Sequence, residues 1–500
     1  MRKWGPLIAV SLGAFMLLID TTIVIVALPE IGRANGSSYA DLQWVMDGYA
    51  LALAALLLGA GALADIVGRK RVYLVGLVLF TAASLLCGLA PGTGTLVGAR
   101  VLQGVGGAAM LATAIALLGD AYQGRDRGIA FGVWGAVSGA SAALGPILGG
   151  LLTEHVGWRA IFLVNLPAGA VTLFLAGRML RESYGKRDAR VDVPGAAAFT
   201  VAAGAATYAL IRAGGHGWSD RGVWAAVAAS ALAVVAFCVV ESRSAAPMLD
   251  LRLLANRSFT GILVGGMAMQ FAAFGWVALA SVWLQGVLDH GAVQAGLMLS
   301  PLAVVAFVVS ALSGRLLHGV SPRWIIGGGL LFIGAGVLLL SRVDAGSDWT
   351  ALVPGLLVTG IGVGLGAPSL AGAVLGTVPP AQAGMAGGAV NTFRQLGFAF
   401  GVAVTGVLFR DKAESMLDGA GLARPGAAAE ALAGGRVAPG AAGRAASESA
   451  FASGLDTAVT VCGLVGLAAG VLVILLVRTS GPAAAAPREA AVERPRVAAN

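Results

Sequence analysis

Apolar runs close to 20 residues long recur along most of this 500-residue chain. Each is long enough to cross the ~30 Å hydrocarbon core of a bilayer as a helix. In lipid every backbone N–H and C=O must be satisfied within the chain, so such runs become helices. A membrane barrel would show short alternating segments instead, and none occur. Charged residues make up only 12% of the chain, about half the ~25% of a soluble domain. The expectation is an all-α membrane protein whose main partner is the lipid bilayer. The net charge of +8 does not point to nucleic acid, because the basic residues sit in short loops between apolar runs. Cys87, Cys238 and Cys462 fall inside the expected spans, with neither metal-ligand nor disulfide spacing. His155, His216, His290 and His318 have no neighbours at metal or catalytic spacing, and there is no phosphate loop. Enzyme chemistry, a bound metal and ATP hydrolysis are therefore not expected.

Fourteen spans are predicted, at 6–28, 43–64, 72–90, 95–118, 128–152, 160–179, 193–212, 222–240, 258–286, 292–313, 323–341, 350–376, 386–409 and 455–478. The N-terminal run continues past Asp20 to Pro29 without a small-residue cleavage site, so it reads as an uncleaved span rather than a signal peptide. Lys and Arg set the orientation. Arg69, Lys70 and Arg71, then Arg125 and Arg127, then the group from Arg178 to Arg190, and Arg243, Arg252, Arg257, Arg315 and Arg323 all fall in alternate loops. Those loops, with both termini, are expected on the cytoplasmic side. Residues 411–453 form an Ala/Gly-rich loop on the other side, and 481–500 an Ala/Pro/Arg tail expected to be disordered. Pro247 to Leu254 has leucines spaced for a short surface helix.

A faint repeat underlies this order. Gly61, Leu63 and Lys70 after the second span match Gly314, Leu316 and Arg323 after the tenth, and Gly104 and Gly106 match Gly360 and Gly362. Two parallel six-helix halves explain the offsets: 1–190 and 258–480, with two further helices inserted at 191–257. Repeats of this kind belong to secondary transporters, with a substrate site between the halves.

The densest motif is Gly61-Ala-Leu-Ala-Asp65-Ile-Val-Gly68-Arg69-Lys70-Arg71. Its glycines permit a sharp reversal. Asp65 can accept charge-assisted bonds from arginines or a helix N-terminus, bonds that one conformation makes and another breaks. The segment resembles the signature loop of the major facilitator superfamily. Further segments resemble its fourteen-span drug:proton antiporter branch. They are Ile19-Asp20-Thr21-Thr22 through Pro29, Arg100-Val-Leu-Gln103-Gly104, Gly139 through Gly145-Pro146-Ile-Leu-Gly149-Gly150, and Asn391-Thr-Phe-Arg394-Gln395-Leu-Gly397. The second cytoplasmic loop departs from symmetry, with His318 where an acid would match Asp65.

The resemblance implies a major facilitator fold and proton-coupled efflux of small amphipathic compounds by alternating access. Protons would be the coupling ion, no cofactor would be needed, and the protein would act as a monomer. The same machinery could export a metabolite the cell makes. A sensor lacking transport would have no need of these motifs. Asp20 and Arg100 are the candidates for proton coupling, because a charge inside a span costs ~2.5–3.5 kcal/mol or more. The carboxyl can titrate, whereas arginine stays charged; Arg100 could alternatively snorkel outward. Gly61, Asp65, Gly68, Arg69, Lys70 and Arg71 are the candidate conformational latch. Gly139, Gly145, Pro146, Gly149 and Gly150 form the antiporter motif of the fifth span, which the family associates with export. Asp20, Asp47, Arg100, Gln103, Asn391 and Arg394 are expected around one substrate cavity.

Overall fold

The computed structural model describes residues 3–185, 191–245, 247–316, 320–379, 382–422 and 424–478. The first half comprises α1 (Gly5–Asn35), α2 (Tyr39–Val67), α3 (Arg69–Gly88), α4 (Thr93–Ala121) and α5 (Gly124–His155), then a sixth span broken at Val164 into α6 (Ala160–Leu163) and α7 (Asn165–Met179). Two helices follow, α8 (Val193–His216) and α9 (Arg221–Arg243). The ninth span contains α10 (Arg257–Phe274), α11 (Val277–Val282) and a π-helical turn at Trp283–Val287. Then come α12 (Ala292–Leu316), α13 (Pro322–Leu339), α14 (Val353–Leu375), α15 (Ala383–Gly419), the short α16 (Pro425–Ala433) and α17 (Ala441–Leu476). Thirteen described spans are long and apolar enough to cross a membrane. α5, of 32 residues with Pro146 inside it, completes fourteen.

Local chemistry fixes the ends of these helices. Ser38 and Asp41 make a capping box that starts α2. Asp192 and Asp220 accept the first N–H groups of α8 and α9. The α2–α3 reversal is made by Gly68 alone, at φ +118°, a conformation a side chain rarely adopts. The expected surface helix near Pro247–Leu254 is a 3₁₀ turn at Leu251–Ala255, capped by Asp250.

The glycine repeat has a physical basis. A Cβ on Gly104 would lie 2.5 Å from Tyr49 O on α2, and one on Gly106 2.6 Å from Phe80 N on α3. In the second half, a Cβ on Gly360 would lie 2.5 Å from Leu302 O on α12, and one on Gly362 would strike Gly329 O on α13. α4 and α14 therefore hold equivalent places, each wedged by two glycines against the two preceding helices of its half.

α8 and α9 pack on each other, with Ser230 Oγ donating to Ala202 O at 2.9 Å. Leu232, Val234 and Val235 of α9 face outward. α8 lies along the junction of α2 and α15, where Phe199 and Ala203 join Leu51 and Leu396 in one apolar cluster. The expected loop 411–453 differs most from the structure. α15 runs on to Gly419, α17 starts at Ala441, and α16 fills the gap between them. Alanine favours helix, and the extension is pinned by buried Leu417, Leu432 and a Phe409–Phe451 ring pair 4.7 Å apart. The apolar runs ended where the composition became Ala/Gly-rich, but the helices did not.

Candidate functional site

α1 carries Asp20 into the middle of the first half, and the surrounding helices supply its partners. Arg100 and Gln103 lie three apart on α4 and so share a face. Arg100 Nη1 donates to Asp20 Oδ2 at 2.5 Å and to Gln103 Oε1 at 2.7 Å. Gln103 Nε2 donates to Asp20 Oδ1 at 2.8 Å and to Ser84 Oγ of α3 at 2.9 Å. Asn165 Nδ2, at the break in the sixth span, donates to Asp20 Oδ1 at 3.0 Å. Arg100 Nε donates to Val45 O of α2, and the guanidinium stacks 4.3 Å from the Tyr49 ring centroid. Arg100 thus points inward and does not snorkel. Asp20 and Arg100 are 0% and 1% exposed. Three donors, Arg100, Gln103 and Asn165, face the Asp20 carboxyl, two at Oδ1 and one at Oδ2.

The α2–α3 turn is built from more than its own motif. Arg69 donates from Nε and Nη2 to Asp65 Oδ1 at 2.9 and 2.8 Å, and from Nη1 to Asp120 Oδ2 at 2.6 Å. Glu182, after α7, caps α3 by accepting from Lys70 N at 2.9 Å and Arg71 N at 3.3 Å. Lys70 Nζ donates to Gly177 O at 2.7 Å. Asp65 bonds an arginine, as one sequence reading allowed; the helix N-terminus beside it takes Glu182 instead. A Cβ on Gly68 would sit 2.7 Å from the Glu182 carboxylate, so Gly68 serves packing as well as the reversal. Gly61 lies one helical turn before Asp65 on α2 and approaches Ala112 of α4.

The small residues of α5 serve two neighbours. A Cβ on Gly145 would strike Thr22, and one on Gly149 would lie 2.6 Å from Ile23 O, both on α1. A Cβ on Gly150 would lie 2.5 Å from Ala292 O on α12, and one on Gly296 of α12 would strike Pro146 O. Gly139 lies within α5. The motif is therefore a close-packed seam joining the two halves.

That seam lies at the end opposite the α2–α3 turn, and other contacts close the same end. Glu154 Oε2 accepts from Val293 N in the first turn of α12 at 2.9 Å. Gln285 Nε2 donates to Val26 O at 2.9 Å, and Gln43 Nε2 to Val402 O at 2.8 Å. Nearer the middle, Thr392 Oγ1 donates to Ala54 O at 3.2 Å. Beyond Leu58, toward the α2–α3 turn, added Cβ atoms at Gly59, Gly384 and Gly387 would meet nothing within 4 Å. Among the described residues these contacts between the halves thus run from that end as far as Leu58, against which a Cβ on Gly388 of α15 would strike.

The six residues expected around one cavity divide into two groups. Asp20, Arg100 and Gln103 are sealed inside the first half. Asp47 is also 0% exposed, and neither of its carboxylate oxygens has a hydrogen-bond partner. It lies on the α2 face, between Gln43 and Ala54, that bonds α15. Only Asn391 and Arg394 are partly exposed. The six residues expected around one cavity thus do not share a single exposed surface in this structure. Hydropathy gives the depth of a charge but not which way the helix turns it. The sequence reading missed Ser84, Asn165, Asp120, Glu154 and Glu182. Each is a short polar or acidic residue far along the chain from its partner. His318 lies outside the described residues.

A fourteen-helix membrane protein of two related halves, joined at one end and holding a buried carboxyl–guanidinium pair in its interior, has the architecture of a transporter rather than an enzyme. Residues 10–402 match the Major Facilitator Superfamily, and the chain belongs to it, in the fourteen-span drug:proton antiporter branch. It is 38% identical over 401 residues to the Multidrug resistance protein Stp of Mycobacterium tuberculosis (strain CDC 1551 / Oshkosh), covering 80% of this chain and 74% of that protein. It is 34% identical to the Tetracenomycin C resistance and export protein of Streptomyces glaucescens, covering 98% and 94%. The Puromycin resistance protein pur8 of Streptomyces alboniger is 37% identical, covering 81% of each chain. The fold is shared with a bacterial homologue of the human lysosomal transporter Spinster, solved in an inward-facing and occupied conformation. That likeness has a TM-score of 0.66 at 18% identity and covers 94% of this chain and 96% of that one.

Proposed function

We propose that this transporter expels small amphipathic compounds in exchange for protons, with Asp20 as the proton carrier. The observation that carries the reading is the sealed Asp20–Arg100 pair. A charged carboxylate and guanidinium inside an apolar bundle are costly to desolvate and add little net stability, so their presence calls for a use. Arg100 stays charged throughout; Asp20 is the member that can take a proton. Protonation removes the charge that holds Arg100 Nη1 and frees α1 and α4 to shift against each other. α1 also carries Thr22 and Ile23, which pack on α5, and α5 carries the seam to α12. A change at Asp20 thus reaches the interface between the halves through one helix.

With the basic loops at the cytoplasmic face, the closed end faces outward and the cleft opens to the cytoplasm. In that state a compound enters from inside. Reversal requires breaking the α5–α12 and α2–α15 contacts and closing the halves beyond Leu58, toward the α2–α3 turn. The α2–α3 network of Asp65, Gly68, Arg69, Lys70, Arg71, Asp120 and Glu182 is the latch at the opening end. Resistance to drugs is the reading that the relatives' names support. The test is an accumulation assay in cells lacking their own pumps, using rhodamine B, an amphipathic dye with a free carboxyl group, with and without an uncoupler. Expression should lower accumulation, and the uncoupler should abolish the difference. Efflux that persists in the de-energised cells would contradict proton coupling.

A further inference from the structure

We propose that Arg394 anchors the transported compound and selects molecules carrying an acidic group such as a carboxylate. This rests on the export reading and names its substrate class. Among the described residues Arg100, Arg394 and Arg410 lie seven or more positions inside a span, and the surroundings of Arg394 differ from those of Arg100. Arg100 has a carboxylate, a carbonyl, an amide and an aromatic ring around it. Arg394 has one long contact, Nη1 to Asn391 Oδ1 at 3.5 Å, and a buried Nε with no partner. Among the described residues no carboxylate pairs with it. A guanidinium cannot shed its charge, and an unmatched cation in a membrane span is costly.

Its place on α15 faces the cleft. Thr392, Val402 and Gly406 run along the α2 contact, and Gly397 and Gly401 along the α10 contact. At 100° per residue, Asn391 and Arg394 fall in the arc between those two lines and Gln395 on the α2 line, and all three are partly exposed. A Cβ on Gly266 of α10 would lie 3.2 Å from Arg394 Cγ and 3.8 Å from Leu370 Cδ1 of α14. The aliphatic stem of Arg394 therefore lies against α10 at Gly266, with α14 beside it. Asp47, the unpaired acid nearest in depth, is enclosed in the α2–α15 seam and makes no ion pair with it. Among the described residues Arg394 thus has Asn391 beside it and no paired carboxylate, and a carboxylate matches a guanidinium fork in two parallel bonds.

The test measures binding to the purified full chain by thermal shift, using 1-naphthoate and 9-anthroate, each beside its own methyl ester. The acids should stabilise the protein at concentrations about tenfold or more below those of the esters. Arg394→Gln should erase that preference, and Arg394→Lys, which keeps the charge and controls for folding, should retain part of it. Esters that bind as well as acids, acids that fail to bind, or a preference unchanged in Arg394→Gln would each overturn the proposal. Equal loss of both classes would assign Arg394 a structural role and overturn it too. These outcomes are independent of the uncoupler assay, which tests the export reading alone.

Discussion

Arg100 donates to Asp20 across 2.5 Å, from α4 to α1, with neither side chain reaching solvent. The two residues lie 80 positions apart, and the bond ties together helices that each touch a different neighbour of the cleft. Its energetic asymmetry gives a first prediction. Removing one partner of a buried pair leaves the other charge uncompensated, at a cost of about 3–5 kcal/mol. Arg100→Gln should therefore lower the thermal midpoint far more than the double variant with Asp20→Asn, which leaves no stranded carboxylate. Equal losses in the two proteins would show that the pair is not energetically coupled.

Glu154 caps α12 from across the halves, so it bonds only while that end is closed. Glu154→Ala removes a charge-assisted bond worth about 1.5–3 kcal/mol. Cysteine labelling near Ala292 by an impermeant reagent should rise by about tenfold, and the protein should remain folded. Unchanged labelling would mean that the cap does not favour closure.

Gly150 lets α5 reach Ala292 O. Gly150→Val places side-chain atoms inside that contact, while Gly177→Ala adds a methyl where nothing lies within 4 Å. Transport should fail in the first and persist in the second, measured at equal membrane abundance. Wild-type transport by Gly150→Val would remove the seam from the mechanism.

Outside the spans, Arg212 holds the Asp220 carboxyl down, to about 2, helped by two backbone N–H groups. A depressed carboxylate contributes above its unfolded value, near 3.8, and that contribution is lost as pH falls through about 2. The Asp220 carboxyl therefore does not titrate between pH 5 and 8. Asp220→Asn should leave the pH profile of transport unchanged in that range, whereas a displaced profile would place a coupling group at this turn.

Much of this was legible in the chain itself. Span count, the place of Asp20 and Arg100 in α1 and α4, and the Gly68 reversal follow from hydropathy, charge cost and glycine chemistry. The Gly104/Gly360 and Gly106/Gly362 repeat foretold equivalent wedges at α4 and α14. Azimuth was not legible. Nothing in the run around Asp47 says that its carboxylate turns into the α15 seam, because every residue flanking it suits either face. Asn165 reads as an ordinary polar residue until the break at Val164 turns its amide to Asp20. Glu182 caps a helix more than 100 residues upstream, a pairing that only the assembled bundle defines. α16 escaped notice because an Ala/Gly composition serves a loop and a helix alike.

The central claim is that Asp20 carries the driven proton. It is tested most directly in proteoliposomes by imposing a pH gradient and following rhodamine B accumulation by wild type and Asp20→Asn. A second arm measures dye exchange at equal pH on both sides. Wild type should accumulate dye against its gradient, and Asp20→Asn should exchange dye but accumulate none. Gradient-driven accumulation by Asp20→Asn at the wild-type level would contradict the account.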